Sequence, residues 1–199
     1  MSAPIRSRAV RALGAACVVG AALSLFAQCR SSGEESAKLS RARAAWGVVY
    51  EVLQHPRCLN CHPAGDAPLQ GDESVPHAQN VRRGPDGQGL FAMRCATCHQ
   101  TTNGPDAHQP PGAPRWQLPR ASMPLVFEGL SSRDLCRQLQ DPARNGGKKM
   151  GEVFHHVAED ELVLWGWEPG PGRAPVPISH AAFVSAMKTW IDAGCGCPE

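Results

Sequence analysis

The chain has 199 residues, with 20 lysines and arginines against 18 aspartates and glutamates, and it contains nine cysteines. This length allows one ordinary domain or two small ones. A formal net charge of +2 excludes the strongly basic surface typical of nucleic-acid-binding domains. Nine cysteines are many for a protein of the reducing cytosol, so the composition indicates an exported protein.

The N-terminus carries an export signal. Three arginines precede an apolar run over residues 12–27, and no acidic residue occurs before Glu34. The run is about 16 residues long, whereas roughly 20 span a bilayer, so a signal peptide is predicted over residues 1–28, with a retained membrane helix as the alternative. Export predicts a periplasmic protein. Removal of the signal peptide leaves a net charge of about −1, which indicates that the mature protein does not bind nucleic acid. Cys29 follows a degenerate lipobox, and its lipidation would tether the protein to the membrane through the flexible segment 29–37.

The first predicted helix covers residues 38–54. Apolar side chains recur every three or four positions on one face, including Leu39, Trp46 and Leu53, and Pro56 ends the pattern. The chain then enters a cysteine motif directly, so this helix should lie beside the site that the motif builds.

Two segments match the C-x-x-C-H pattern of haem c attachment. The cysteines are Cys58, Cys61, Cys95 and Cys98, and the histidines are His62 and His99. Two thiols one helical turn apart can add to both vinyl groups of one porphyrin, and the adjacent histidine can then reach the iron. The motifs therefore predict two covalent haems. A structural zinc site or a pair of disulfides are the alternatives, and both leave the two histidines without a role.

The segments around the second motif give a weaker signal. Residues 65–89 are rich in turn-forming residues and predict a loop over the first haem. Gly89-Leu90-Phe91 precedes Cys95 as it does in the N-terminal helix of class I cytochromes c, which this segment resembles. The resemblance implies a helix over residues 88–99 with Phe91 packed inside. Residues 104–124 are proline-rich and predict an extended segment.

Each iron that only transfers electrons needs a second axial ligand. Met123, followed by proline, resembles the distal methionine of class I cytochromes c and is the candidate for the second haem. His77 lies in a polar, glycine-rich segment that offers little core, so it is the candidate for the first haem. His55 is an alternative ligand that could reach a closely stacked porphyrin.

The C-terminal third predicts helices with clear boundaries. Ser131 or Ser132 caps a helix that ends near residue 141, further helical turns cover residues 148–159 and 160–165, and Ser179 caps the last helix. The partner of the last helix could be the helix at residues 38–54.

Three cysteines of the mature chain remain after the haem and lipid candidates are assigned, since Cys17 lies in the predicted signal peptide. Cys195 and Cys197 are too close to bridge each other without strain. Cys136 could therefore form a disulfide with Cys195 or Cys197, and two free thiols are the alternative.

With the motifs placed, three stretches resemble a group of bacterial cytochrome-like proteins labelled isoquinoline 1-oxidoreductase subunits. They are residues 55–63, residues 93–103 and residues 134–147. The resemblance implies an electron-accepting partner for a periplasmic molybdenum hydroxylase or dehydrogenase. The chain has no G-x-G-x-x-G motif and no ferredoxin cysteine spacing, so catalysis by such a complex would belong to the partner.

The sequence thus predicts a mostly α protein, in which residues 38–199 form a small helical cytochrome c-like fold with long loops around two haems. Electron transfer to or from a redox partner protein, another cytochrome or a dehydrogenase, is the predicted function. The alternatives are a small di-haem peroxidase, in which one iron keeps an open position, and a haem-based sensor.

Overall fold

Two helices from opposite ends of the chain form the main packing unit. The computed structural model describes the backbone of residues 13–199 and the side chains of residues 33–199. Helix α1 is Leu13–Leu53, and helix α6 is His180–Asp192. They pack against each other around Trp46 and Trp190, whose ring centroids are 4.8 Å apart and whose side chains are buried. This contact confirms the predicted pairing of the last helix with the helix that precedes the first motif.

The protein is mostly helical, as the sequence predicts. The other helices are α2 (Pro56–Leu59), α3 (Ser132–Gln140), α4 (Met150–Glu159) and α5 (Glu161–Leu164). In the described residues, strands form only two short antiparallel ribbons: β1 (Leu69–Gln70) with β2 (Val75–Pro76), and β3 (Gly89–Leu90) with β4 (Met93–Arg94).

Helix α1 is longer than the sequence pattern predicts. It begins at Leu13 rather than at residue 38, so the segment 29–37, expected to be a flexible tether, is helical backbone. Side chains 33–37 are exposed, and burial begins at Ala42. Glutamate, alanine and lysine favour helix without any packing, which explains why the helix extends beyond its buried face.

Side-chain caps fix several helix starts where the sequence places them. The Ser131 side chain accepts a hydrogen bond from the Asp134 amide at the start of α3, and the Ser179 side chain accepts one from the Ala182 amide at the start of α6. Asp160 ends α4 and caps α5. These caps satisfy amides that a helix start leaves without partners, so the short helices begin at defined residues.

The prediction of a helix over residues 88–99 is wrong. The segment forms the β3–β4 ribbon and one 3₁₀ turn, Cys95–Thr97, while Phe91 is 97% exposed instead of packed. Gly89 has a φ of +89°, and a Cβ there would lie 2.4 Å from the Met93 carbonyl oxygen. Only glycine tolerates this close approach, so the residue that suggested a helix motif instead makes the ribbon possible.

The C-terminal tail folds back over the helices. A disulfide joins Cys136 on α3 to Cys197, and Cys195 is unpaired. Gln140 on α3 donates a hydrogen bond to the Cys195 carbonyl at 2.9 Å, and Arg43 on α1 donates one to the Cys197 carbonyl at 2.9 Å. The disulfide and Gln140 therefore hold the C-terminal tail to α3, and Arg43 holds it to α1.

The predicted export signal lies only partly in the described residues. The structure does not describe residues 1–12 or the side chain of Cys29, so the signal peptide and the lipid tether stay predictions. Among the described residues, no helix is both long enough and apolar enough to cross a membrane.

Candidate functional site

A short capped helix positions the first cysteine motif. The His55 ring accepts a hydrogen bond from the Arg57 amide at 3.2 Å, and Pro56 occupies the first helical turn, where its missing N–H costs nothing. The His62 amide then donates to the Cys58 carbonyl at 3.2 Å. Cys58, Cys61 and His62 therefore share one compact turn at the end of α1, and all three line the same cavity.

His62 is held by groups on both its edge and its face. Its Nδ1 lies 2.7 Å from the Leu125 carbonyl oxygen, and its ring stacks on Phe127 with centroids 3.8 Å apart and an angle of 10° between the planes. Because a carbonyl can only accept a hydrogen bond, Nδ1 carries the proton and Nε2 keeps its lone pair. Burial lowers the pKa of His62 to about 4. The His62 ring is thus neutral and held in one orientation, so its Nε2 could bind a metal ion.

The cavity beside His62 has a volume of about 520 Å³, within the range of roughly 300–1,000 Å³ typical of cofactor and ligand pockets. Apolar side chains from α1, α3, α4 and α6 form much of its wall. They include Leu53, Leu139, Val153, Val157, Phe183 and Met187. Buried apolar walls with a few polar groups are what a large planar cofactor requires.

Arg57 is the buried charge at this cavity. Its guanidinium pairs with Asp72, donates to the Gly71 carbonyl at 3.0 Å and lies 5.6 Å from the Trp165 ring centroid. Its Nε is buried and has no hydrogen-bond partner. A buried unpaired donor is costly, so Arg57 offers a position for an anionic group of a bound cofactor.

The two thiols of the first motif are unreactive in this setting. Burial raises the pKa of Cys58 to about 12 and the pKa of Cys61 to about 11. The thiolate is the nucleophile in cysteine catalysis, so neither thiol resembles an activated catalytic cysteine. Cys95 of the second motif is close enough for its charge to contribute to the raised pKa of Cys61. The two motifs therefore lie near each other.

The second motif repeats the arrangement around its histidine. His99 Nδ1 lies 2.7 Å from the Pro111 carbonyl oxygen, and the ring stacks on Trp116 with centroids 4.4 Å apart and 6° between the planes. The tautomer is again fixed with Nε2 free. Trp116 in turn meets Trp165 edge to face, so it packs against both the histidine and another tryptophan.

This second site is more open to solvent than the first. Cys95 is buried, but Cys98 is exposed. Three of the five exposed large apolar side chains in the described residues lie on the β3–β4 ribbon, directly before this motif. They are Leu90, Phe91 and Met93. Neighbouring exposed apolar side chains of this kind are typical of a binding surface.

His77 lies beside the second motif, not the first. Its ring centroid is 6.3 Å from that of His99, with the planes 70° apart. Its Nδ1 is buried and has no hydrogen-bond partner. Imidazole nitrogens bind metals at about 2 Å and lie about 1 Å from the ring centre, so two imidazoles on one ion have centroids about 6 Å apart. The separation of His77 and His99 fits one shared ion.

The other expected distal ligands are also relocated. Met123, expected near the second motif, lines the cavity of Cys58, Cys61 and His62. Of the two candidates, His77 therefore lies beside the second motif and Met123 beside the first. His55, the alternative ligand, caps α2 and lines a separate cavity of about 300 Å³ outside the first site.

Sequence reasoning missed Arg57 and gave little weight to His156 as a distal ligand, and both residues line the first cavity. Arg57 lies within the motif segment, where a basic residue is expected to be exposed to solvent. His156 follows another histidine on a polar helix, and no sequence pattern separates the two. In the part of the chain that the structure describes, no group of three or more His, Cys, Asp or Glu side chains is placed to hold a metal ion.

Comparison with known proteins adds no relative. No protein-family model, no curated protein and no solved structure matches this chain. What can be concluded about function therefore comes from the residues and their geometry.

Proposed function

We propose that this protein is a di-haem c-type cytochrome that transfers electrons in the periplasm. The observation that carries the proposal is the matched environment of His62 and His99. Each follows a C-x-x-C pair, each donates a hydrogen bond from Nδ1 to a backbone carbonyl at 2.7 Å, and each ring stacks on an aromatic side chain. A second partner that fixes the tautomer and ring direction is characteristic of a metal-ligating histidine.

The first site fits a buried haem. Cys58 and Cys61 would hold the porphyrin through thioether bonds, and His62 would bind the iron. The cavity of about 520 Å³ supplies an apolar wall, and the unpaired Nε of Arg57 would meet a propionate. Bound haem supplies an iron that alternates between the ferric and ferrous states, and burial in an apolar wall tunes its potential.

The second site fits a haem nearer the surface. Cys95 and Cys98 would hold it, His99 would bind the iron from one side, and His77, with its buried and unpaired Nδ1, would bind from the other. A porphyrin there would also cover part of the exposed apolar surface of the β3–β4 ribbon.

The arrangement of the two sites supports electron transfer rather than substrate chemistry. The first site is enclosed by helices, the second is open to solvent, and their cysteines are close. An exposed haem lets a redox partner approach, and a nearby buried haem can exchange electrons with it. The resemblance described above favours a periplasmic molybdenum hydroxylase or dehydrogenase as that partner, and the net charge of about −1 after export suits a basic docking patch.

Binding of carbon monoxide to the reduced protein tests this function. An electron carrier has two protein ligands on each iron, so we expect neither haem to bind carbon monoxide within seconds of mixing. A peroxidase or a sensor keeps one iron open. Rapid binding of one carbon monoxide per protein, measured from the optical spectrum, would contradict the electron-carrier function and favour those alternatives.

A further inference from the structure

Two consecutive histidines on α4 have the same local chemistry and different surroundings. His155 Nδ1 lies 3.2 Å from Glu159 Oε1, and His156 Nδ1 lies 3.2 Å from Asp160 Oδ2. The His155 side chain is 71% exposed and the His156 side chain 39% exposed. Only His156 lines the cavity of the first motif. Its position, not its local sequence, distinguishes it.

The carboxylate of Asp160 orients His156. A carboxylate accepts the Nδ1 proton, which leaves the lone pair of the His156 ring on Nε2. Asp160 is itself held, because it accepts a hydrogen bond from the Leu162 amide at 3.0 Å and one from Arg115 at 3.3 Å. An imidazole fixed through one nitrogen by a carboxylate is a typical metal ligand.

His156 and His62 line the same cavity. Met123 also lines this cavity, but it lies two residues before Leu125, whose carbonyl holds His62 at Nδ1. The Met123 backbone is therefore close to the segment that holds the Nδ1 edge of His62, whereas a second iron ligand would have to reach the side that Nε2 faces.

We propose that His156 is the second axial ligand of the haem bound at Cys58, Cys61 and His62, and that Asp160 is its positioning residue. This inference rests on the proposed function, because it requires a haem in the first cavity. Together with His77 and His99, it makes both irons bis-histidine centres, which implies two low reduction potentials.

Replacing each of the two neighbouring histidines tests the inference. We expect His156→Ala to convert one of the two haems, about half of the low-spin signal, to high-spin in optical and electron paramagnetic resonance spectra. Added imidazole should restore the low-spin signal. His155→Ala is the matched control, and Met123→Leu tests the competing ligand; both should keep two low-spin haems.

The haem content separates the possible outcomes. If wild-type protein lacks two covalent haems, the proposed function itself fails. If it has two and His156→Ala keeps both low-spin, His156 is not the ligand, and loss of low-spin character in Met123→Leu would overturn the inference directly. Should His156→Ala yield no folded holoprotein, His156→Met replaces one ligand by another. One potential should then rise relative to His155→Met, and unchanged potentials would overturn the inference.

Discussion

Backbone carbonyls outside the two motifs fix the orientation of the motif histidines. His62 is held by the Leu125 carbonyl, 63 residues later, and His99 by the Pro111 carbonyl, 12 residues later. Both carbonyls belong to the irregular stretch between β4 and α3, so a segment without regular structure fixes both tautomers. Proline and turn residues in such a segment hold backbone carbonyls in place without a strand or helix.

His77 gives a prediction at this scale. In a variant that carries Cys58→Ser and Cys61→Ser, only the second haem should attach, and it should be low-spin. Adding His77→Ala should convert that haem to high-spin, because the ligand opposite His99 is lost.

His108 provides the control, because it is exposed in the loop after the same motif. His108→Ala in the same single-haem background should leave the spectrum unchanged. A low-spin haem that persists in the His77→Ala variant would show that another side chain binds this iron.

At the scale of residues, local spacing is enough to single out the six motif residues, because attachment chemistry requires it, and their haem-binding role stays a prediction. The positions of the distal candidates do not follow from spacing, since the fold decides which loop reaches which site. The sequence suggests His77 for the first haem and Met123 for the second, whereas His77 lies beside His99 and Met123 lines the cavity of His62.

At the scale of elements, helices with local start signals are predictable. Ser131 and Ser179 cap α3 and α6 at the residues that the sequence indicates. The prediction of a helix over residues 88–99 is wrong for a physical reason, because it rests on the resemblance of Gly89, Phe91 and the cysteine motif to a cytochrome c helix and not on the local backbone. The positive φ of Gly89 and the backbone approach of Met93 favour a tight ribbon that no periodicity reveals.

The disulfide gives a prediction at the same scale. Cys136→Ser with Cys197→Ser should lower the free energy of unfolding by roughly 2–4 kcal/mol, because the bond closes a long loop in the unfolded chain. The variant should lose the anchor between α3 and the C-terminal tail. Chemical denaturation of the holoprotein measures the difference.

Cys195→Ser is the matched control, since Cys195 is half-buried in the same tail and unpaired. Its unfolding free energy should stay within about 0.5 kcal/mol of the wild type, as expected for a substitution that breaks no bond. Equal stability of the wild type and the double variant would argue against the bridge.

On the scale of the whole molecule, one helical scaffold supports two different environments. Helices α1, α3, α4 and α6 supply apolar walls of the first cavity, while the irregular stretch that contains Pro111 and Trp116 packs around His99 of the second motif. The mostly helical class is predictable because residues 38–53 of α1, and α6, each carry an apolar face. The position of the second site is not, because it depends on loop contacts that leave no periodic signal.

The first measurement should be the intact mass of the mature protein, produced with a periplasmic haem-attachment system. We expect the mass of the polypeptide plus two haems, and plus one haem when Cys58 and Cys61, or Cys95 and Cys98, are replaced by serine. A polypeptide without added haem, or one that carries zinc instead, would contradict the assignment of both motifs and with it the proposed function.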